Sequence, residues 1–191
     1  MTSLRHNDEP AAPQDGYLDA ARACLLDVGW RRTTLTEVAR RAGVSRMTIY
    51  RSWADMPTLL GDLMTREWTA IVAATAPTGV LVDRMVATIR ALRANELFVR
   101  IVEVDPELVL PYLLARRGRS QDLILAIAEA AIVEGQAAGT VRAGNPTAIA
   151  RTLVLAAHGF VLSAHTMVDD RVSEAELDAE LALVLSRTLA P

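Results

Sequence analysis

Between Arg31 and Trp53 the chain carries six arginines, at positions 31, 32, 40, 41, 46 and 51, against one acid, Glu37. The arginine fork of N–H donors fits phosphate oxygens and the O6/N7 edge of guanine. This stretch bears about +5, so the rest of a chain whose net charge is −3 bears about −8. A basic patch on an otherwise acidic protein is the electrostatic footprint of a polyanion-binding surface. Lysine is absent from the sequence, so every long cationic side chain is an arginine.

Other chemistries find little footing. No nucleophile has a base near it in sequence, and no glycine-rich loop could cradle a phosphate. His158 and His165 lie seven residues apart, without further ligands at a spacing that would complete a metal site. They are open to a pocket, switch, dimer-axis or purely structural role. Cys24, the one cysteine, sits in an apolar run where a small buried residue is expected. Neither an enzyme activity nor a cofactor or metal is expected.

The elements that must position the arginines are helical. Aromatics make up 4% of 191 residues, and alanine, leucine and arginine dominate successive segments, which predicts an all-α chain of about nine helices. The first helix spans about 14–28, with Leu18, Ala21, Leu25 and Val28 on one face and Gly29 as its stop. Thr34 with Glu37 forms a capping-box pattern ahead of a short helix over about 35–42, which Gly43 ends. Ser45 then caps a third helix over about 46–53. Two short helices joined by a glycine-centred turn form a helix-turn-helix. Val38, Ala39, Val44 and Ile49 are the apolar positions that would lock its angle.

The run from Gly29 to Trp53 resembles the DNA-binding segment of TetR-type transcriptional regulators. The likeness lies in a Gly-aromatic opening, a Thr-led short helix holding Val38-Ala39, Ala42-Gly43-Val44-Ser45 at the turn, and Thr48-Ile49-Tyr50 before an aromatic. Leu59-Leu60 continues it into a fourth helix, and Glu134–Arg142 adds a more diffuse match. The resemblance implies an N-terminal helix-turn-helix unit joined to a larger C-terminal helical domain for ligand binding and dimerisation. On this reading 1–12 is a disordered arm, 13–73 the DNA-binding domain and 74–191 the C-terminal domain. Arg46 is placed to bond a guanine, Met47 to touch a thymine methyl, and Arg51 to reach into the groove. Thr48 and Tyr50 look like the family's backbone-contacting hydroxyls, and Thr34 can add a phosphate contact. One departure stands out: Met56 occupies the start of the fourth helix, where the family commonly has a phosphate-binding lysine.

Beyond residue 74 the sequence is less specific. Trp68, Leu92, Phe98, Tyr112 and His158 are the candidates to line an effector pocket. Helices over about 146–166 and from Ser173 onward are apolar on more faces than one neighbour covers. That suggests pairing with a second copy through Val154, Val161, Leu177, Leu181 and Val184, as the family's four-helix interface implies. The longest uncharged run, 152–168, is 17 residues and holds two histidines, so no membrane span is expected. The polar, proline-bearing residues 1–13 have no secretory h-region, and a cytoplasmic protein is expected. The function implied is a one-component regulator, a repressor in most of the family. It would bind palindromic double-stranded operator DNA as a homodimer and be released by a small, largely apolar effector. The alternative is a helical ligand-binding or adaptor protein that has lost operator recognition.

Overall fold

The computed structural model describes residues 13–75 and 80–191. The lead-in expected over 1–12 and the break expected at 77–79 lie outside them. Ten α-helices and three 3-10 turns occur among the described residues, with no strand. They are α1 (Pro13–Val28), α2 (Leu35–Arg41), α3 (Arg46–Ser52), α4 (Met56–Thr75), α5 (Leu81–Arg93), α6 (Glu96–Val104), α7 (Leu110–Leu114), α8 (Arg119–Ala137), α9 (Pro146–Ser163) and α10 (Glu174–Leu189). The helix beyond the nine expected is the five-residue α7, which opens with Leu110-Pro111 and is too short to show periodicity.

Side-chain caps fix most of these starts. Thr34, Ser45, Asn145 and Ser173 each accept a hydrogen bond from the amide three residues on, at 3.2 to 3.3 Å. Ser173 and Glu176 form the full reciprocal box, with the Ser173 amide donating to Glu176 Oε2 at 2.8 Å. The box expected at Thr34 and Glu37 is only half made. Glu37 turns instead to Arg40, which grips it through Nε and Nη2 at 3.0 and 2.5 Å. A two-pronged bond to a cation outcompetes one neutral backbone amide.

The chain divides into two compact units, one ending at Leu63 and one beginning at Met64. The first packs α1 on α2 and α2 on α3, around Leu18, Ala21, Leu25, Val38, Ala39 and Ile49. Cys24 is buried among them, and burial pushes its thiol up, so it stays protonated and inert.

In the second unit α5, α9 and α10 enclose a core of Val86, Ile89, Leu92, Ile149, Leu153, Leu181 and Leu185, against which Met64, Trp68 and Ile71 of α4 pack. A buried ion cluster joins α5 to α10. Asp178, 3% exposed, accepts from Arg93 through both guanidinium Nη atoms at 3.1 to 3.2 Å and from Arg90 Nε at 3.0 Å. At the end of α8, a Cβ on Gly135 would lie 2.5 Å from the Val141 side chain. Only glycine permits that close return, which accounts for the Glu134–Arg142 motif.

The helix that holds the uncharged run is longer than the run itself. Taken with its 3-10 extension, Pro146–Met167 spans 22 residues, with mean hydropathy 1.4 over its most apolar 18, and so meets by length and composition alone the requirement for a membrane span. The charge-free count of 17 stopped at Arg151 and so left out the first turn of this helix. Only 28% of its apolar window is buried. Its exposed face carries Thr152, Leu155, Ala156, Gly159 and Ser163, all small except Leu155.

Candidate nucleic-acid interface

The turn between α2 and α3 is set by Gly43, whose φ of +68° lies in the left-handed region that favours glycine. Two backbone bonds close it: Val44 N donates to Ala39 O at 3.0 Å and Gly43 N to Arg40 O at 3.3 Å. This is the Schellman pattern, which satisfies the last carbonyls of α2 and turns the chain sharply. Ser45 caps the helix that follows.

Within α3, Ile49 is fully buried and anchors the inner side. At 100° per residue, Arg46, Tyr50, Met47 and Arg51 fall within one arc of about 140° on the other side. All four are exposed, Met47 at 71% and Tyr50 at 49%. Tyr50 is thus not a core residue. Arg46 and Met47 open the helix, where a recognition helix meets base edges, and Tyr50 and Arg51 occupy its last turn. Thr48 flanks this face, its hydroxyl 2.9 Å from that of Ser45. Thr34 is exposed at the start of α2.

The six arginines are not equivalent. Arg40 is held by Glu37, whose carboxyl that hydrogen bond keeps below the usual range. Arg41 is held by Asp27 of α1, and Arg31 also has a partner. Arg32, Arg46 and Arg51 form no ion pair among the described residues. Counting charges along the sequence therefore overstates the cation available to a polyanion. The pairing of Arg41 with Asp27 spans 14 positions and leaves no short-range signal.

The candidates beyond residue 64 separate into groups. Leu92 and Phe98 belong to the core cluster with Trp68 packed on it, and the Trp68 and Phe98 rings meet edge to face at 5.4 Å. Tyr112 lies apart on α7 beneath the Arg116 guanidinium, 5.3 Å from the ring centroid. His158 is half-buried on α9, and burial holds its imidazole below the ordinary value, favouring the neutral form. Of the interface candidates, Val161 and Leu181 are spent inside the chain's own core, and Val154 and Leu177 are half-buried. Val184 is 57% exposed. Leu155 and Leu183, which the periodicity did not single out, are exposed as well.

Comparison with known proteins agrees with this architecture. The family described as bacterial regulatory proteins, tetR family, matches residues 18–63. An uncharacterised HTH-type transcriptional regulator of Mycobacterium bovis is 34% identical over 173 residues, covering 88% of this chain and 90% of that protein. Among solved structures, GusR of Salmonella enterica superposes with a TM-score of 0.64 at 21% identity, covering 96% of this chain and 98% of the other. FadR of Bacillus subtilis, solved in complex with stearoyl-CoA, gives 0.64 at 14% identity over 92% and 99%. With the capped helix-turn-helix at its N-terminus and a full-length relative sharing a third of its residues, this chain belongs to the TetR family of bacterial transcriptional regulators.

Proposed function

We propose that the protein is a cytoplasmic repressor that binds palindromic operator DNA as a homodimer and lets go when a small, largely apolar effector occupies its C-terminal domain. The observation that carries the DNA half is the exposed arc of α3, with Arg46, Met47, Tyr50 and Arg51 outward and Ile49 locked inward. In this reading Arg46 bonds a guanine and Met47 covers a thymine methyl, while Thr34, Thr48, Tyr50 and Arg51 hold the phosphate backbone. Met56, at the head of α4, offers phosphate nothing, and Arg32 takes over that neutralisation. The DNA-reading part is 13–73 and the effector and dimer part 74–191.

Dimerisation is supported by the uncovered face of α9. Small residues around Leu155 let a second helix approach closely, and Leu183 and Val184 extend the apolar surface on α10. A second copy, rather than lipid, covers this face, because α9 is already packed on α5 and α8 in the protomer. The effector is proposed to meet Trp68, Leu92, Phe98, Tyr112 and His158. The stearoyl-CoA in FadR of Bacillus subtilis is an example of a long apolar effector within this fold. Release requires the effector to bind the DNA-incompetent arrangement more tightly than the competent one.

The test is selection of duplexes from a randomised library with the full-length protein, followed by affinity against salt. Enrichment of a two-fold symmetric sequence supports the reading. Binding no tighter than to random duplex at every salt overturns it and favours the adaptor alternative.

A further inference from the structure

Trp53 closes α3. Its amide donates to the Ile49 carbonyl at 2.9 Å, and the residue is 2% exposed. The one polar atom of its ring, Nε1–H, donates to Asp62 Oδ2 at 2.7 Å. Asp62 lies in the second turn of α4, whose start is capped by Asp55 accepting from the Thr58 amide at 2.8 Å. On the other side Tyr17 of α1 meets the indole edge-on, with centroids 6.3 Å apart and planes at 83°. The end of the recognition helix is therefore tied to α4 by the short chain link and by a charge-assisted hydrogen bond. That bond cannot be given up cheaply, since a buried indole N–H without an acceptor is costly.

We propose that Asp62 is a positioning residue for DNA reading: through the Trp53 indole its carboxylate fixes the roll and tilt of α3, and with them the aim of its base-facing residues Arg46 and Met47. An apolar contact alone lets the ring slide; a directed N–H···O bond at the helix end does not. The inference rests on α3 being the element that meets DNA.

The experiment compares the full-length wild type with Asp62→Ala, Asp62→Asn, Trp53→Phe and the Trp53→Phe/Asp62→Ala double variant. Each is measured against a duplex selected by the wild type and against random duplex, with a thermal melt alongside. Loss of a hydrogen bond to a charged acceptor corresponds to about tenfold or more in an equilibrium constant. Asp62→Ala and Trp53→Phe should each weaken the selected duplex by about that factor and leave random duplex nearly unchanged. The double variant should be no worse than either single one. Asp62→Asn keeps a carbonyl acceptor and should recover most of the affinity, although it loses the same charge as the alanine. Phenylalanine keeps the buried ring, so Trp53→Phe reports even where Asp62→Ala folds poorly. Losses that add, equal losses on random duplex, or asparagine no better than alanine overturn the inference. Wild-type preference left intact in both single variants overturns it while leaving the reading of α3 standing. A wild type without preference overturns both.

Discussion

Replacing Arg51 by alanine isolates one of the three arginines between 31 and 53 that have no acid partner among the described residues. Each phosphate contact on duplex DNA releases counterion and contributes a slope of about −0.9 in log affinity against log salt. If all six arginines between 31 and 53 touched DNA, a dimer would show a slope near −11. Arg40 and Arg41 are instead committed to Glu37 and Asp27, and Arg31 is engaged too. With Arg46 on a guanine edge, Arg32 and Arg51 remain for phosphate, and two copies of two contacts give a slope of about −3.6. Arg51→Ala removes one contact per protomer and should flatten the slope by about 1.8. The control is charge-neutral: Glu37→Gln with Arg40→Gln deletes the exposed pair and should leave the slope as it was. The assay is fluorescence anisotropy on the selected duplex over a salt series. A wild-type slope near −11, or a flattening by the paired control as large as that of Arg51→Ala, refutes the reasoning, because Arg40 must then exchange Glu37 for phosphate.

Asp178→Ala leaves Arg93, itself 10% exposed, without its buried partner, and should cost about 3 kcal/mol or more in urea unfolding. Burial works to raise the Asp178 carboxyl, but hydrogen bonds and charge from Arg93 and Arg90 outweigh it and hold it below the ordinary carboxylate value. Its stabilisation is thus complete above the unfolded value of about 3.9 and is lost as pH falls through the depressed folded value. Asp178→Asn should flatten that acid limb. His158 adds an earlier window: burial depresses its imidazole below 6.5, so stability is complete above the unfolded value and declines as pH drops beneath it. His158→Gln should remove the decline that begins just below pH 6.5, read by urea titrations across pH. Leu155→Asp and Val184→Asp place charge on the uncovered faces of α9 and α10 and should convert dimer to monomer in sedimentation, with melting of the monomer little changed.

What the sequence made legible is local. Thr34, Ser45, Asn145 and Ser173 announce their helices because a cap bonds an amide three residues away, and Gly43 announces the turn because its conformation is its own. The recognition face was readable for the same reason, since seven residues of helical spacing with one buried isoleucine settle which side is out. Partnerships across the chain left no such mark. Asp178, near the start of α10, is buried with arginines 85 and 88 positions away. Asp62 carried no signal at all until α3 and α4 brought it against Trp53. Helical spacing also cannot say whether an apolar stripe is covered by the chain itself. Val161 and Leu181 went to the core, while Leu155 and Val184 were left outside.

The central claim is that the exposed arc of α3 reads operator sequence, and its most direct test is base preference with and without Arg46. Duplexes selected by the wild type should contain two symmetric half-sites about one helical turn apart, each with a guanine that Arg46→Ala no longer demands, at a cost of about 1–3 kcal/mol per half-site. Identical sequences selected by wild type and Arg46→Ala, or no enrichment by either, would contradict it.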